Sequence, residues 1–391
     1  MAGTAPIILF TAFEPSGDAH AAPVIRELRR LNPELRIVAW GGRRMEAAGA
    51  EMMGRTADDG TMGIPALDKI LAIRKVAGEI DRWAAINQVL VHVPVDSPAA
   101  NFPMCKRMKK RGARVVHLVA PQMWAWGGWR IHKLRRLTDH VICLLPFEEA
   151  WFRARGVDAT FVGHPVLNDP HESFASSDEW KEPAQGTPKV LLLPGSRSIE
   201  VDRNGALLLE IFAAIRRDFP QATAVVAAAS PVVAQRFEQI AGTLPVGTTL
   251  MTNVIDQAAQ WCDFAVAVSG TVTLDLTRAR KPVIGVYRAG ALACIGARMM
   301  LKAPYRLLPN ILAGRELVPE FVPYSGSSKP ILAAALKMAG DAKWRAEISK
   351  GLDAVASTFA GHDPGLESAR VILQVANLSV DRSTTVEKKS R

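Results

Sequence analysis

The chain has 391 residues, 49% hydrophobic and 22% charged, which excludes a mostly disordered chain, a fibrous one and a mini-protein. At roughly 100–200 residues per domain, the length predicts two or three domains. Lysine plus arginine exceed aspartate plus glutamate by 48 − 38 = 10, a surplus that points to anionic partners without choosing among nucleic acid, phosphorylated metabolites and anionic lipid.

Along the chain, PIILFTAF reads as a short buried strand, followed by Glu14-Pro15-Ser16-Gly17-Asp18 and a helical stretch over 20–31. RIVAWGG is a second strand, 69–86 has helical periodicity, and VLVHVPVD is a third strand ending in Asp96. A helix over about 102–111 precedes the strand RVVHLVA, and HVICLLP and ATFVGHP read as two more. Apolar, β-branched runs alternating with helices predict parallel strands in an α/β sheet. The polar stretch 169–188 reads as a linker. A second series follows: KVLLLPGSR, a helix over 199–219, TAVVAAA, a helix over 232–241, then TTLMTN, FAVAVSGT and PVIGVYR. Residues 329–378 read as largely helical.

The predicted organisation is an α/β chain of two doubly wound, Rossmann-like domains, 1–168 and 189–355. A helical segment (356–378) and a disordered polar tail (379–391) complete it. Such a pair predicts a cleft between the carboxyl ends of two sheets, where open α/β sheets bind ligands.

No apolar run reaches the roughly 18 residues of a membrane span, and the start lacks a basic segment leading into a long apolar one. Cys105, Cys143, Cys262 and Cys294 are far apart, so a reduced, cytosolic protein is the expectation. His117, His132, His140 and His164 show no ligand spacing, so no metal is expected. No G-x-S-x-G elbow is present.

Six segments carry candidate chemistry. In the first loop, a glycine-containing turn into a helix exposes N–H groups to an anion, while Ser16 and Asp18 are equally plain helix caps. Asp96 ends a strand, where a carboxylate can take a proton from an attacking hydroxyl; an Asx-turn before Pro98 is the bland alternative. Trp124, Trp126 and Trp129 precede Arg130, Lys133, Arg135 and Arg136, a mixture suited to a lipid interface, a sugar or a base. The basic run 106–111 reads as a solvated helix end. In Pro194-Gly195-Ser196-Arg197-Ser198-Ile199-Glu200, a strand, a small turn and a helix start make a phosphate pocket that Arg197 can grip. Ser269-Gly270-Thr271 repeats the pattern, with Asp275 placed to accept from ribose hydroxyls and caps as the alternative. Asn310, Arg315 and Glu316 are polar residues in an apolar stretch; they either read a base or sugar or tie the loop down.

Taken together, EPSGD, Met62–Ile64, VDSPAANF, APQMWAW, LLPFE, FVGHP, LLLPGSRSIEV, SGTVTLD and LPNILAGRELVPE resemble the lipid-A-disaccharide synthase family. The resemblance runs from about residue 7 to residue 320. It implies a GT-B fold and inverting transfer of 2,3-diacylglucosamine from UDP to 2,3-diacylglucosamine 1-phosphate. The implied product is a β-1,6 disaccharide, with release of UDP. It implies Asp96 as general base and Arg197 on the donor diphosphate. Gly195, Ser196, Glu200, Ser269, Gly270, Thr271, Asp275, Asn310, Arg315 and Glu316 fall on the donor side, and Glu14, Ser16, Asp18 and Asn101 on the acceptor side. It also implies no metal cofactor and a peripheral enzyme on the cytoplasmic face of the inner membrane. A homodimer is implied as well. Candidate membrane contacts are Trp124 to Trp129 and the apolar segment 289–300. Phe13 replaces the family's glycine, Ala99-Ala100 replaces an acidic–aromatic pair, and Asp275 replaces a glutamate. Rival readings are another GT-B enzyme, such as a UDP-sugar epimerase, and a non-catalytic binder; the basic runs match no nucleic-acid module.

Overall fold

The computed structural model describes residues 6–57, 66–168, 179–268, 270–301 and 303–378. Met62–Ile64, Ser269, Lys302, residues 169–178 of the predicted linker and the predicted tail lie outside them. The chain divides into two units. The first holds residues up to Asn168 and resumes at Gly361; the second runs from Asp169 to Ala360.

The first unit contains β1 (Ile7–Thr11), α1 (Pro15–Leu31), β2 (Arg36–Gly41), α2 (Arg43–Ala47), β3 (Glu51–Arg55), α3 (Ala66–Ala84) and β4 (Val89–Pro94). It continues with α4 (Pro98–Lys110), β5 (Arg114–Leu118), α5 (Ile131–Leu137), β6 (His140–Cys143), α6 (Pro146–Arg153), β7 (Ala159–Phe161) and α7 (Pro165–Asn168). Its seven strands are all parallel, in the order β3-β2-β1-β4-β5-β6-β7. The order reverses between β1 and β4, the switch point where doubly wound sheets bind ligands. Every residue of β1 is buried, as a strand covered by helices on both faces requires.

The second unit contains β8 (Lys189–Leu193), α8 (Ser198–Asp218), β9 (Thr223–Ala228), α9 (Pro231–Ala241), β10 (Thr248–Thr252), α10 (Ile255–Trp261), β11 (Phe264–Val268) and α11 (Val272–Arg278). Then come β12 (Val283–Arg288), α12 (Ala291–Met300), α13 (Leu308–Ala313), β13 (Glu320–Tyr324), α14 (Lys329–Gly340) and α15 (Ala342–Ser357). Its six parallel strands run β10-β9-β8-β11-β12-β13. Here the order reverses between β8 and β11.

The last helix, α16 (Pro364–Ala376), belongs to the first unit and packs on α1. Its Ala369, Ile372, Leu373 and Ala376 join Ile8, Ile25 and Leu28 in one core. Gly365 permits the close approach, since a Cβ there would sit 3.3 Å from Pro23 Cβ. β3 and β13 are not predicted from the sequence. Both are edge strands of half-buried or exposed residues, so neither shows the apolar run that marks a central strand.

Candidate functional site

At the first switch point, loops leave β1 at Ala12–Glu14 and β4 at Val95–Ser97. Asp96 and Ser97 both have left-handed backbones, with φ 49° and 37°. Non-glycine residues adopt this region at a cost of order 1–3 kcal/mol each, and such residues concentrate at functional sites. Neighbouring strands hold the turn. Val95 N–H donates to Thr11 O and Asp96 N–H to Leu118 O, each at 2.9 Å. Val119, after β5, has φ 67°, so a second strand end at this edge is also strained.

Asn101 fixes the other side of the turn. It is fully buried, and its Nδ2 donates to the carbonyls of Val95 (3.1 Å) and Asp96 (2.9 Å). Its Oδ1 accepts the Thr11 hydroxyl proton at 2.7 Å. The Thr11 oxygen must then accept from His92 Nε2, 2.9 Å away, which makes His92 the Nε2–H tautomer. Burial, reinforced by the nearby His117, pushes the His92 pKa down to about 3, so the relay stays neutral at ordinary pH. Asn101 is therefore scaffold beneath Asp96, not the acceptor ligand predicted. Asn101→Ala leaves two carbonyls unpaired and the Thr11 hydroxyl proton without its acceptor. We expect it to destabilise the protein by about 2–4 kcal/mol, read as a lower urea midpoint; an unchanged midpoint would remove this role.

The Asp96 carboxylate is half-buried and makes no hydrogen bond or ion pair among the described residues. Close by, α1 begins at Pro15, with Gly17 tight enough that a Cβ would lie 3.4 Å from Val95 O. Glu14 is the N-cap residue of α1 and Ser16 is exposed in its first turn. Asp18 needs correction. Its buried carboxylate accepts the N–H groups of Gly42 (3.0 Å), Arg44 (2.9 Å) and Met45 (3.0 Å), closing the N-terminus of α2. A carboxylate so occupied serves the scaffold.

In the second unit, Gly195 has φ 103°, and a Cβ there would sit 2.6 Å from Glu200 Oε2. Only glycine satisfies both conditions. Buried Glu200 folds back and accepts from Ser196 N (2.9 Å) and Arg197 N (3.2 Å). These N–H groups, expected to face a diphosphate, are thus occupied. The Arg197 side chain is 56% exposed and touches Glu200 Oε1 at 3.2 Å, which leaves most of its five donors open. Gly270 and Thr271 lead into α11, where Thr273 Oγ1 donates to Gly270 O at 2.9 Å. Asp275 lies 3.9 Å from Arg278 Nη2.

Asn310 also proves structural. It is fully buried. Its Nδ2 donates to Val318 O and Glu320 Oε2, each at 3.0 Å, and its Oδ1 accepts from Leu317 N (2.8 Å) and Val318 N (2.9 Å). All its hydrogen-bonding capacity is used, so it reads no base. Arg315 and Glu316 are exposed in the following turn and make no hydrogen bond or ion pair among the described residues. Thr11, His92 and Glu320 went unnoticed in the sequence; the signal was a polar residue inside an apolar segment.

Trp124 is half-buried and held in place, donating Nε1–H to Glu148 at 2.9 Å and meeting Phe147 edge-on. Trp129 is 78% exposed, and Arg130 lies 3.8 Å above the Trp126 ring. Among the described residues, no group of three or more histidines, cysteines or acids could hold a metal ion. No helix there is long and apolar enough to cross a membrane.

The chain is similar to the S. aureus MnaA–UDP co-structure, with TM-score 0.61 and 12% identity over 96% of this chain and 98% of that one. It is likewise similar to the glycotransferase of kitacinnamycin (TM-score 0.61, 14% identity, 95% and 99%). Two Rossmann-like units of this kind define the GT-B glycosyltransferase fold. A family model described as lipid-A-disaccharide synthetase matches residues 8–355. The lipid-A-disaccharide synthase of Solibacter usitatus is 30% identical over 375 residues, covering 94% of this chain and 97% of that protein. That of Anaeromyxobacter dehalogenans is 34% identical over 346 residues, covering 85% and 88%. The chain belongs to the lipid-A-disaccharide synthase family.

Proposed function

We propose that this chain transfers 2,3-diacylglucosamine from UDP to 2,3-diacylglucosamine 1-phosphate, forming the β-1,6 disaccharide of lipid A without a metal cofactor. The observation that carries the reading is Asp96. It is a carboxylate at a switch point, on a strained turn braced by two strands and Asn101, with no hydrogen-bond or ion-pair partner among the described residues.

Asp96 takes the proton of the acceptor 6-hydroxyl as that oxygen bonds to the donor anomeric carbon. The bond from that carbon to the diphosphate breaks on the opposite face, and UDP leaves with the electron pair, inverting the centre. Negative charge grows on the diphosphate in the transition state. The Arg197 guanidinium and the positive end of the α8 dipole stabilise it most strongly then. Glu14 and Ser16 belong to the acceptor side. Gly270, Thr271, Asp275, Arg315 and Glu316 belong to the donor side. Both substrates are lipids, so the enzyme works as a peripheral protein at the anionic inner face of the inner membrane, as a homodimer.

Mass spectrometry of the purified protein with both diacyl substrates in detergent tests this; UDP binding without disaccharide phosphate would leave a binding protein instead. Arg197→Ala should weaken UDP binding about 10–100-fold, the range for lost charge-assisted hydrogen bonds. Calorimetry showing unchanged affinity would remove Arg197 from the diphosphate.

A further inference from the structure

Thr11 and His92 stand where the patterning of buried strands calls for apolar residues. Both lie in central strands, β1 and β4, and both are fully buried. The register pairs Leu9 with His92, so Thr11, two residues beyond Leu9, faces the same side of the sheet as His92. Stability does not account for them. His92 Nδ1 has no hydrogen-bond partner among the described residues, and a buried polar atom left unpaired costs free energy. Valine and leucine would satisfy these two strands at no such cost.

What the pair adds is direction. His92 Nε2–H donates to Thr11 Oγ1 at 2.9 Å, and the single hydroxyl proton of Thr11 then goes to Asn101 Oδ1 at 2.7 Å. With its oxygen so engaged, the Asn101 amide turns Nδ2 to the carbonyls of Val95 and Asp96, at 3.1 and 2.9 Å. The opposite arrangement is closed. An Nδ1–H imidazole would draw the Thr11 proton to its own Nε2, and the threonine oxygen would then require the Asn101 amide hydrogens. The amide oxygen would face two carbonyl oxygens, and both bonds under the Asp96 turn would be lost. Burial pushes the His92 pKa down to about 3, so the ring stays neutral at ordinary pH and one placement of protons serves throughout.

Asp96 and Ser97 are both left-handed, a backbone that persists only where its surroundings over-determine it. The chain of donors from His92 belongs to those surroundings, and it ends on the main chain of the reacting residue. We infer that Thr11 and His92 are positioning residues for the transfer step: they set the Asn101 amide, and through it the turn that aims the Asp96 carboxylate at the acceptor hydroxyl. The inference rests on Asp96 as the proposed base. It separates two duties at one site, proton acceptance by Asp96 and alignment from the strands below it.

Steady-state and single-turnover mass spectrometry of the full chain, beside UDP calorimetry, tests this. Thr11→Val keeps the shape of the side chain and removes the donor. It should lower kcat about 10–100-fold, the cost of a misaligned reacting group, and leave both KM values and UDP affinity within about twofold. Thr11→Ser keeps the hydroxyl and should recover most of the loss. His92→Leu should lower kcat about 5–30-fold, and His92→Gln, whose amide donates in place of Nε2–H, should recover most of it. The decisive comparison is Thr11→Val in an Asp96→Asn background. A residue that acts through the base has nothing left to align there, so the residual turnover should fall by less than about twofold. Unfolding would lower both backgrounds by the same factor, and that result would overturn the inference. So would a wild-type kcat in Thr11→Val, or a loss confined to KM. Disaccharide synthesis by Asp96→Asn at the wild-type rate would remove the base and this inference together. Loss of synthesis in Asp96→Asn with Thr11→Val unaffected would remove the inference alone.

Discussion

Asp96→Asn should lose disaccharide synthesis by about 10²–10⁴-fold, the usual contribution of a positioned general base, while binding UDP as wild type does. The substitution isolates the chemistry. Asparagine tolerates the left-handed backbone that Asp96 adopts at φ 49°, so the turn survives. The backbone contacts to Leu118 and Asn101 are made by the main chain of residue 96 and are also unaffected. The carboxylate has no partner among the described residues, so replacing it breaks no contact seen there. What disappears is the capacity to accept a proton. Single-turnover mass spectrometry beside UDP calorimetry separates the outcomes. Turnover near wild type would take Asp96 out of the base role, and lost UDP binding would show that the variant disturbs more than proton transfer.

Acid should loosen the first unit while leaving the second intact. Burial lowers the pKa of His20 to about 4, His92 to about 3, His117 to about 4 and His164 to about 3. His117 further lowers His92, and His20 further lowers His164. All four lie in the first unit. An unfolded histidine titrates near 6.5, so below that pH the unfolded chain binds protons that the native chain refuses. Each group's contribution is therefore complete above pH 6.5 and is lost as pH falls toward 3–4. From pH 7 to pH 5 the four together cost on the order of 8 kcal/mol.

Buried Glu148 acts in the opposite sense. Burial raises its pKa to about 7, against the bonds from Trp124 and the backbone of Leu145. Its contribution is present below about pH 4.5 and is lost as pH rises toward 7, so acidification returns on the order of 2 kcal/mol. The net loss, on the order of 5 kcal/mol, is comparable with the whole stability of a domain. The second unit has no histidine among its described residues. Hydrogen exchange at pH 7 and pH 5, corrected for intrinsic rates, should show lost protection in β1, β4 and β5 and little change in β8, β9 and β11. Uniform loss, or none, would contradict the assignment, and His164→Gln should lessen the acid effect.

The alternation of buried strands and helices was legible because parallel strands covered on both faces must be continuous apolar runs, as in IILFT and FAVAV. The edge strands β3 and β13 escaped, since half-exposed positions carry no such run. Helix starts shifted for local reasons. The first helix begins at Pro15 rather than residue 20 because proline is well suited to the first helical position. The third strand ends at Pro94, two residues before Asp96, because the chain turns left-handed there.

The sequence by itself determined the two α/β series, the loops that follow their strands, the charged groups Asp96 and Arg197 within those loops, and the family. Only the tertiary structure decided which polar residues in those loops remain open to a ligand. Asp18 and Asn310 have the composition of ligands, yet one caps α2 and the other ties its loop down. Glu200 occupies two N–H groups that seemed meant for phosphate. The partners of Asp18 lie 24 to 27 residues away, and Thr11 reaches Asn101 across 90 residues. A side chain has a fixed number of donors and acceptors. Whether the fold consumes them depends on which distant backbone groups arrive beside it, and no local spacing encodes that.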